Sequence, residues 1–317
     1  MSVYEKLIRK LGKSGRLLET QPSSYTNTDS NKKYLNGDFS RHLDRDLVIV
    51  DVGCRWGFAD VWTQLLSRIH LYGFDPDEEE CERLRQLYKD RNVTLVSQAL
   101  ADTPGKRVLY LTQNPGCNSL YRPDPRLTSA MPELACASQV GTSKIEVTTL
   151  DLWSAATGTD VVDFIKLDTQ GSELDILRGG KEILRTVRAL EIEVEFNPIY
   201  ENQPLFNDVD IFLREQGFVL WRLSNMVHYS RGTPLHQRQT NDTAYYDSKP
   251  VQQITFGGQL YWGHAHYLRH QIVSDENHSD PRQNERDAVL LKALGFHDIA
   301  LRLTTCSSGP DPAPGDG

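Results

Sequence analysis

Apolar positions along the chain fall into runs of alternating period. Leu47 to Val52 is a continuous apolar run interrupted only by Asp51 and followed by Gly53, the pattern of a strand buried on both faces. Ala59 to Ser67 predicts a helix, Ile69 to Phe74 a strand, and Asp77 to Asp90 a second helix, which Pro76 and a cluster of acids open. Val93 to Val96 predicts a third strand. Arg107 to Leu111 and Ile145 to Thr149 read as a strand pair around an irregular segment. Val161 to Leu167, Ala189 to Phe196 and Phe218 to Leu223 predict further core strands, with helices at Gly171 to Leu184 and at Asp208 to Gln216, the latter ended by Gly217. Gln259 to Leu268 is the last strand and Asp287 to Phe296 a final helix. Strands alternating with helices predict an α/β fold, a doubly wound parallel sheet with helices on both faces. No helix pattern separates the last two strands, so an antiparallel edge strand is expected.

The ends differ from this middle. Residues 3–19 predict an amphipathic helix, with Tyr4, Leu7, Ile8 and Leu11 on one face and Lys6, Arg9, Lys10, Lys13 and Arg16 around the rest. Its apolar stripe is narrow, which favours docking on its own domain or a sister subunit over peripheral contact with anionic lipid. Residues 20–40 read as a polar linker, so 1–40 precede an α/β domain at 41–270. Two aperiodic insertions, 112–144 and 224–258, interrupt that domain, and the second is expected to be a functional or disordered loop. Residues 271–317 hold a helix and a disordered Pro/Gly/Ser tail from Ser307.

Composition removes several classes. A net charge of −8 over 317 residues argues against a broad nucleic-acid surface. No window approaches the ~18 apolar residues of a membrane span. The five cysteines are odd in number and form no CxxC, which points to a reducing cytoplasm rather than a disulfide framework or zinc knuckle. Homo-oligomerisation is left open.

The unusual residues sit where open α/β sheets bind ligands, beyond the carboxyl ends of the strands. Asp51-Val52-Gly53-Cys54-Arg55-Trp56-Gly57 follows the first strand, and Gly53 permits a tight turn close to a ligand. Gly53 and Gly57 are four apart, which departs from the GxGxxG of dinucleotide sites. Asp75 ends the second strand, where a carboxylate accepts from the vicinal hydroxyls of a ribose; the competing role is a helix cap beside Pro76. These features define an adenosine-containing ligand and leave NAD open.

The fourth-strand segment Asp163-Phe164-Ile165-Lys166-Leu167-Asp168-Thr169-Gln170-Gly171-Ser172-Glu173 resembles the hallmark of the FkbM family of methyltransferases. Asp51 to Gly57 and Phe74-Asp75-Pro76 resemble its first two motifs, although the family more often has Glu at Asp75. Gln98 to Asp102, Asn118-Ser119-Leu120, Thr149-Leu150-Asp151, Glu193 to Tyr200 and Gly217-Phe218 match further segments in order. The resemblance spans about residues 45–270. It implies a class I methyltransferase (Rossmann-like) fold, a seven-stranded, mostly parallel sheet, with S-adenosylmethionine as donor. It also implies O-methylation of a hydroxyl on a sugar, glycan or glycosylated metabolite, with the two insertions on the acceptor side. By that resemblance Asp51, Gly53, Cys54, Arg55, Trp56 and Gly57 line the methionine part, the loop acting mainly through its backbone. Asp75 takes the ribose, Gln98, Ala99 and Leu100 border the adenine, and Asp168 lies by the methionine amine or the reactive centre. The alternatives are an NAD-linked oxidoreductase and a non-catalytic Rossmann-like binding protein.

A hydroxyl is a poor nucleophile and needs a base or a metal. Asp168, Gln170, Glu173 and Glu195 are the catalytic candidates. Glu191, Glu193 and Glu195 alternate, so they share one face of a strand and need partners such as Lys166. A divalent ion on Asp168, Glu195 and Asn197 is the less favoured mechanism. His228, His236, His264 and His266 are candidate bases, each more often a satisfied surface or core residue. Tyr245, Tyr246, Tyr261 and Trp262 are candidates for stacking on sugars or for packing.

Overall fold

The computed structural model describes residues 43–65, 67–229, 239–246, 249–256, 258–274 and 280–305. The helix expected at 3–19, the linker at 20–40, His236 and the tail from Ser307 lie outside them. The chain opens with β1 (Leu47–Val52), α1 (Asp60–Gln64), β2 (Ile69–Phe74), α2 (Glu78–Leu87), β3 (Val93–Val96) and the short β4 (Ala99–Leu100). There follow β5 (Gly105–Thr112), α3 (Pro125–Ala130), β6 (Gln139–Thr148), α4 (Leu150–Thr157), β7 (Phe164–Leu167) and α5 (Glu173–Arg178). Next come β8 (Ala189–Glu195), α6 (Phe206–Glu215), β9 (Phe218–Tyr229), β10 (Gln239–Tyr246), β11 (Lys249–Phe256) and β12 (Gln259–Arg269). The described chain ends with α7 (His270–Val273), α8 (Pro281–Ala293) and α9 (His297–Thr305).

Seven strands form the main sheet in the order β3-β2-β1-β7-β8-β12-β9. The first five are parallel, and β12 runs against both of its neighbours. The antiparallel strand therefore lies at the expected side of the sheet, one place in from the edge. A separate three-stranded sheet, β4-β6-β5, carries α3 and the connecting turns. It is tied back to the main body by the bridge between Pro123 and Tyr200.

Alternation along the strands sorts two cores. Val50, Val52, Ile165, Leu167, Leu190, Ile192 and Val194 pack with Leu174, Leu177, Val209 and Leu213 of α5 and α6. On the opposite face Leu47, Ile49, Phe164, Ala189 and Leu268 pack with Leu290, Leu291, Phe296, Ile299 and Leu303 of the C-terminal helices. The C-terminal segment is thus two helices that complete a layer of the same core. Gly295 (φ +76°) turns the chain between them, a conformation open to glycine at little steric penalty.

That second face changes character along the strands. Ile49, Phe164, Ala189, Leu268 and Val219 form one cross-strand row. Two residues further toward the carboxyl ends of the parallel strands the row reads Asp51, Lys166 and Glu191, and it continues through His266 on β12 and, past a bulge in the β12–β9 pairing, Arg222 on β9. The period of two puts both rows on the same side of the sheet. A charged layer therefore begins where the apolar one stops, next to the loops that follow β1, β7 and β8.

Two elements depart from the sequence pattern. The segment 224–258, expected as an irregular loop, instead continues β9 to Tyr229 and contains β10 paired antiparallel with β11. Gln239 to Thr243 are polar at every position, so the alternation that marks a half-buried strand is absent. The helix expected at 171–184 ends at Arg178, and a single tight turn follows at Ile183–Arg185. Gly179 and Gly180 break it, and a Cβ at Gly179 would collide with the Ala101 carbonyl.

Candidate active site

A cleft opens at the carboxyl ends of β1, β2 and β7. Its wall includes Gly53, Arg55, Asp75, Gln98, Ala99, Leu100, Asp168 and Gln170, together with Pro115 to Leu120 from the first insertion, Cys117 excepted. Asp51, Cys54, Trp56, Gly57, Glu173 and Glu195, also predicted for the site, are not among its lining residues.

The turn after β1 is held by its own backbone. Gly53 sits at φ +83°, and a Cβ there would run into the Asp168 carbonyl oxygen. The amides of Gly53 and Cys54 both donate to the Phe74 carbonyl, at 2.9 and 3.1 Å, and Gly57 donates to the Cys54 carbonyl at 3.0 Å. Trp56 adopts φ +77°, its amide donating to Glu80 Oε1 at 2.9 Å while the residue is 56% exposed. Cys54 is buried, and burial pushes its thiol well above the ordinary range. Arg55 acts through its side chain, since Nη2 donates to Asp75 Oδ1 at 3.2 Å and to Asp77 Oδ2 at 2.7 Å.

Asp75 is not the cap of the following helix. Asp77 takes that part, accepting from the amides of Glu79 and Glu80. Asp75 is 4% exposed, and its Oδ1 accepts from Arg55 and from the Asp77 amide. Its Oδ2 has no hydrogen bond among the described residues and belongs to a side chain on the cleft wall. Burial raises the Asp75 pKa, against the pull of Arg55. A carboxylate oxygen with spare acceptor capacity on a cleft wall can receive a ligand hydroxyl.

Carboxylates dominate the far side of the cleft. Lys166 lies 3.2 Å from Asp168 Oδ2 and 3.8 Å from Asp51 Oδ1. Burial would lower its pKa, but Asp51, Asp168 and Glu191 together raise it. Against the desolvation of burial, Lys166 holds Asp168 at about 2. Burial pushes Asp51 up to about 6. Glu193 is driven well above the usual carboxylate range by burial and by the charge of Asp168. Glu195 is raised in the same way by burial and the charge of Glu173.

Gln170 ties this group together from a left-handed backbone (φ +61°). Its Nε2 donates to Glu193 Oε2 at 2.6 Å and to Asp168 Oδ1 at 3.3 Å, and its Oε1 accepts from the Tyr200 hydroxyl at 2.9 Å. A non-glycine residue in that region signals local strain that its surroundings must enforce.

Glu173 has a different place from the one its motif implied. Oε1 accepts from the Thr169 amide (2.6 Å) and hydroxyl (3.0 Å), and Oε2 accepts from the Gly171 amide (2.9 Å). It shapes the loop after β7 from below. Asn197 turns to β12, donating to the Leu260 carbonyl and accepting from Gln259, each at 2.7 Å. Among the described residues no group of three or more His, Cys, Asp or Glu side chains is arranged to hold a metal ion. No described helix is long and apolar enough to cross a membrane.

Cross-strand partners were not legible from the sequence. Glu191 pairs with His264 rather than with Lys166, His264 Nδ1 lying 2.8 Å from Glu191 Oε1. The lining by residues 115–120 was also missed; only Asn118-Ser119-Leu120 carried a signal. Ser119 reaches the site directly, its hydroxyl donating to the Gln170 carbonyl at 2.6 Å.

Sheet order, the glycine turn and the acid after β2 define a class I methyltransferase fold. A family model, the methyltransferase FkbM domain, matches residues 51–220, and the chain belongs to the FkbM methyltransferase family. It is 30% identical over 168 residues to the 2-O-methyltransferase NoeI of Sinorhizobium fredii (strain NBRC 101917 / NGR234), covering 50% of this chain and 67% of NoeI. Among solved structures it is similar to the magnesium protoporphyrin IX methyltransferase of Synechocystis PCC 6803 with bound S-adenosylmethionine. That match has 13% identity, coverage of 84% of this chain and 92% of the other, and a TM-score of 0.37. The precorrin-6y C5,15-methyltransferase of Geobacter metallireducens GS-15 matches at 13% identity over 77% and 90% of the two chains, TM-score 0.32. The protein is a methyltransferase whose methyl donor is S-adenosylmethionine.

Proposed function

We propose that this enzyme methylates a hydroxyl of a sugar, glycan or glycosylated metabolite, with the donor lying in the cleft between Gly53, Asp75 and Asp168. The donor carries a sulfonium that makes its methyl carbon electrophilic. The chain's part is to hold that carbon in line with an acceptor oxygen and to exclude water. The unpartnered Oδ2 of Asp75 carries the donor assignment, since it fits a ribose hydroxyl. Arg55 fixes that carboxylate, Gln98 to Leu100 border the base, and the carboxylates around Lys166 favour a cationic ligand.

A hydroxyl acceptor is supported by the relative, a 2-O-methyltransferase by name, and a sugar by the aromatic group of Tyr200, Tyr229, Tyr261 and Trp262, whose Tyr200 hydroxyl donates to Gln170 of the cleft at 2.9 Å. The cations near the cleft, Arg55 and Lys166, are each paired with carboxylates, which disfavours a phosphorylated acceptor. The test is transfer of radiolabel from S-adenosyl-[methyl-14C]methionine to a panel of methyl glycosides, with thiols and amines as controls. Label in an alkali-stable methyl ether of a glycoside is the expected result. Label only in thiols or amines would overturn the assignment.

A further inference from the structure

We infer that His264, oriented by Glu191, is the base that takes the acceptor proton; this rests on the hydroxyl acceptor proposed above. Antiparallel register sets His264 opposite Glu193 and His266 opposite Glu191 on one face of β8 and β12. His264 reaches diagonally, its Nδ1 2.8 Å from Glu191 Oε1. Glu191 is fully buried and, against the desolvation of burial, its bond to His264 helps hold it ionised at about 2. An ionised carboxylate can only accept, so Nδ1 carries the proton and the Nε2 lone pair is directed away from Glu191. Nε2 makes no hydrogen bond to the described residues, although the side chain is only 9% exposed.

The other candidates are engaged by other groups. Asp168, held at about 2 by Lys166 against burial, is ionised but scarcely basic. Glu193 and Glu195 are pushed well above the usual carboxylate range by burial and neighbouring carboxylates, and Glu193 already accepts from Gln170 at 2.6 Å. Glu173 accepts three hydrogen bonds from its own loop. His266 has its pKa lowered to about 4 by burial, and its Nε2 lies 2.8 Å from the Ser224 hydroxyl.

In the step itself the acceptor O–H bond breaks and its proton passes to His264 Nε2. The oxygen's electron pair forms the new O–CH3 bond. The S–CH3 bond breaks, and its electrons stay on the departing neutral thioether. The positive charge thus moves from sulfonium to imidazolium, where Glu191 stabilises it. The groups around this charge are Glu191 and Glu193 on β8, Lys166 on β7 and Asp168 just after it, His266 on β12 and Arg222 on β9.

The experiment compares wild type, His264→Asn, His264→Ala and Glu191→Gln in the glycoside assay across pH 5 to 9, with S-adenosylhomocysteine affinity measured in parallel. General-base catalysis contributes ~100- to 10,000-fold, so His264→Asn should lose at least ~100-fold in kcat while binding S-adenosylhomocysteine within ~3-fold of wild type. The acid limb of the pH profile should vanish in His264→Asn, and Glu191→Gln should lower kcat with S-adenosylhomocysteine affinity kept within ~3-fold. Added imidazole should restore part of the His264→Ala rate. Glycoside methylation kept within ~3-fold in His264→Asn, or lost in step with donor affinity and without imidazole rescue, would overturn the base assignment alone. Labelling of thiols or amines without glycosides by the wild type would overturn the acceptor assignment, and the base with it.

Discussion

Two neighbouring rows on one face of the sheet show how the same strands serve stability and chemistry. Ile49, Phe164, Ala189 and Leu268 pack against the C-terminal helices; Asp51, Lys166, Glu191 and His266 lie two residues away on the same strands, joined across a bulge by Arg222. The first row excludes water, and its stabilisation scales with buried apolar area. The second holds charges that are costly to bury unless each has a partner. Its sequence of acid, base, acid, histidine and base supplies partners across strands rather than along them. Lys166 is its pivot, flanked by Asp51 in the row and by Asp168 at the cleft.

Breaking each row once separates the two roles. Lys166→Met should cost about 3–5 kcal/mol at pH 8, because it leaves unpaired buried carboxylates. Near pH 5 that loss should shrink, since Asp51, raised to about 6 by burial, holds its proton there. Phe164→Ala should also cost about 3–5 kcal/mol, but equally at both pH values and with donor affinity of the folded protein unchanged. Urea denaturation at the two pH values reads both. A Lys166→Met loss independent of pH would show that the charged row acts only by packing.

A smaller effect comes from the turn that joins the rows to the cleft. Gly53→Ala places a methyl against the Asp168 carbonyl at φ +83°. Strain of this kind is worth ~1–3 kcal/mol. Donor affinity, read by calorimetry with S-adenosylhomocysteine, should fall further, because Asp168 must move. Unaltered stability and affinity would mean that the turn relaxes freely.

The smallest effect is the pH dependence of the ligand-free protein. Burial pushes Asp51 up to about 6 and Glu173 up to about 7. From about pH 4.5 to 7 the native state therefore holds protons that the unfolded chain has released, and stability falls as pH rises. Asp168 and Glu191, held at about 2, act oppositely: their contribution is complete above about pH 4 and is lost as pH falls toward 2. The Tm of the ligand-free protein should be lower at pH 8 than at pH 5.5, by ~2–4 °C per kcal/mol of linkage. A Tm that climbs steadily over that interval would contradict the assigned shifts.

What the sequence disclosed follows the same division. Leu47–Val52, Ile69–Phe74 and Val93–Val96 were readable to the residue because each is a short, mainly apolar run set between polar segments. Gly53, Asp75 and Asp168 were readable because local motifs demand them. The partners of Glu191 and Lys166 were not, since strand register lies in the pairing of distant segments. Glu173 carried a motif signal without a chemical one, and only its three hydrogen bonds reveal a loop-shaping part. The β10–β11 hairpin stayed hidden because polar residues occupy both strand faces at Gln239 to Thr243.

The most direct test of the donor cleft is calorimetric binding of S-adenosylhomocysteine to wild type and Asp75→Ala, with NAD as control. Loss of the carboxylate that receives a ribose hydroxyl should weaken binding by about 1–3 kcal/mol, with no binding of NAD to either protein. Equal affinity of the two proteins for S-adenosylhomocysteine would contradict the placement of the donor at Asp75.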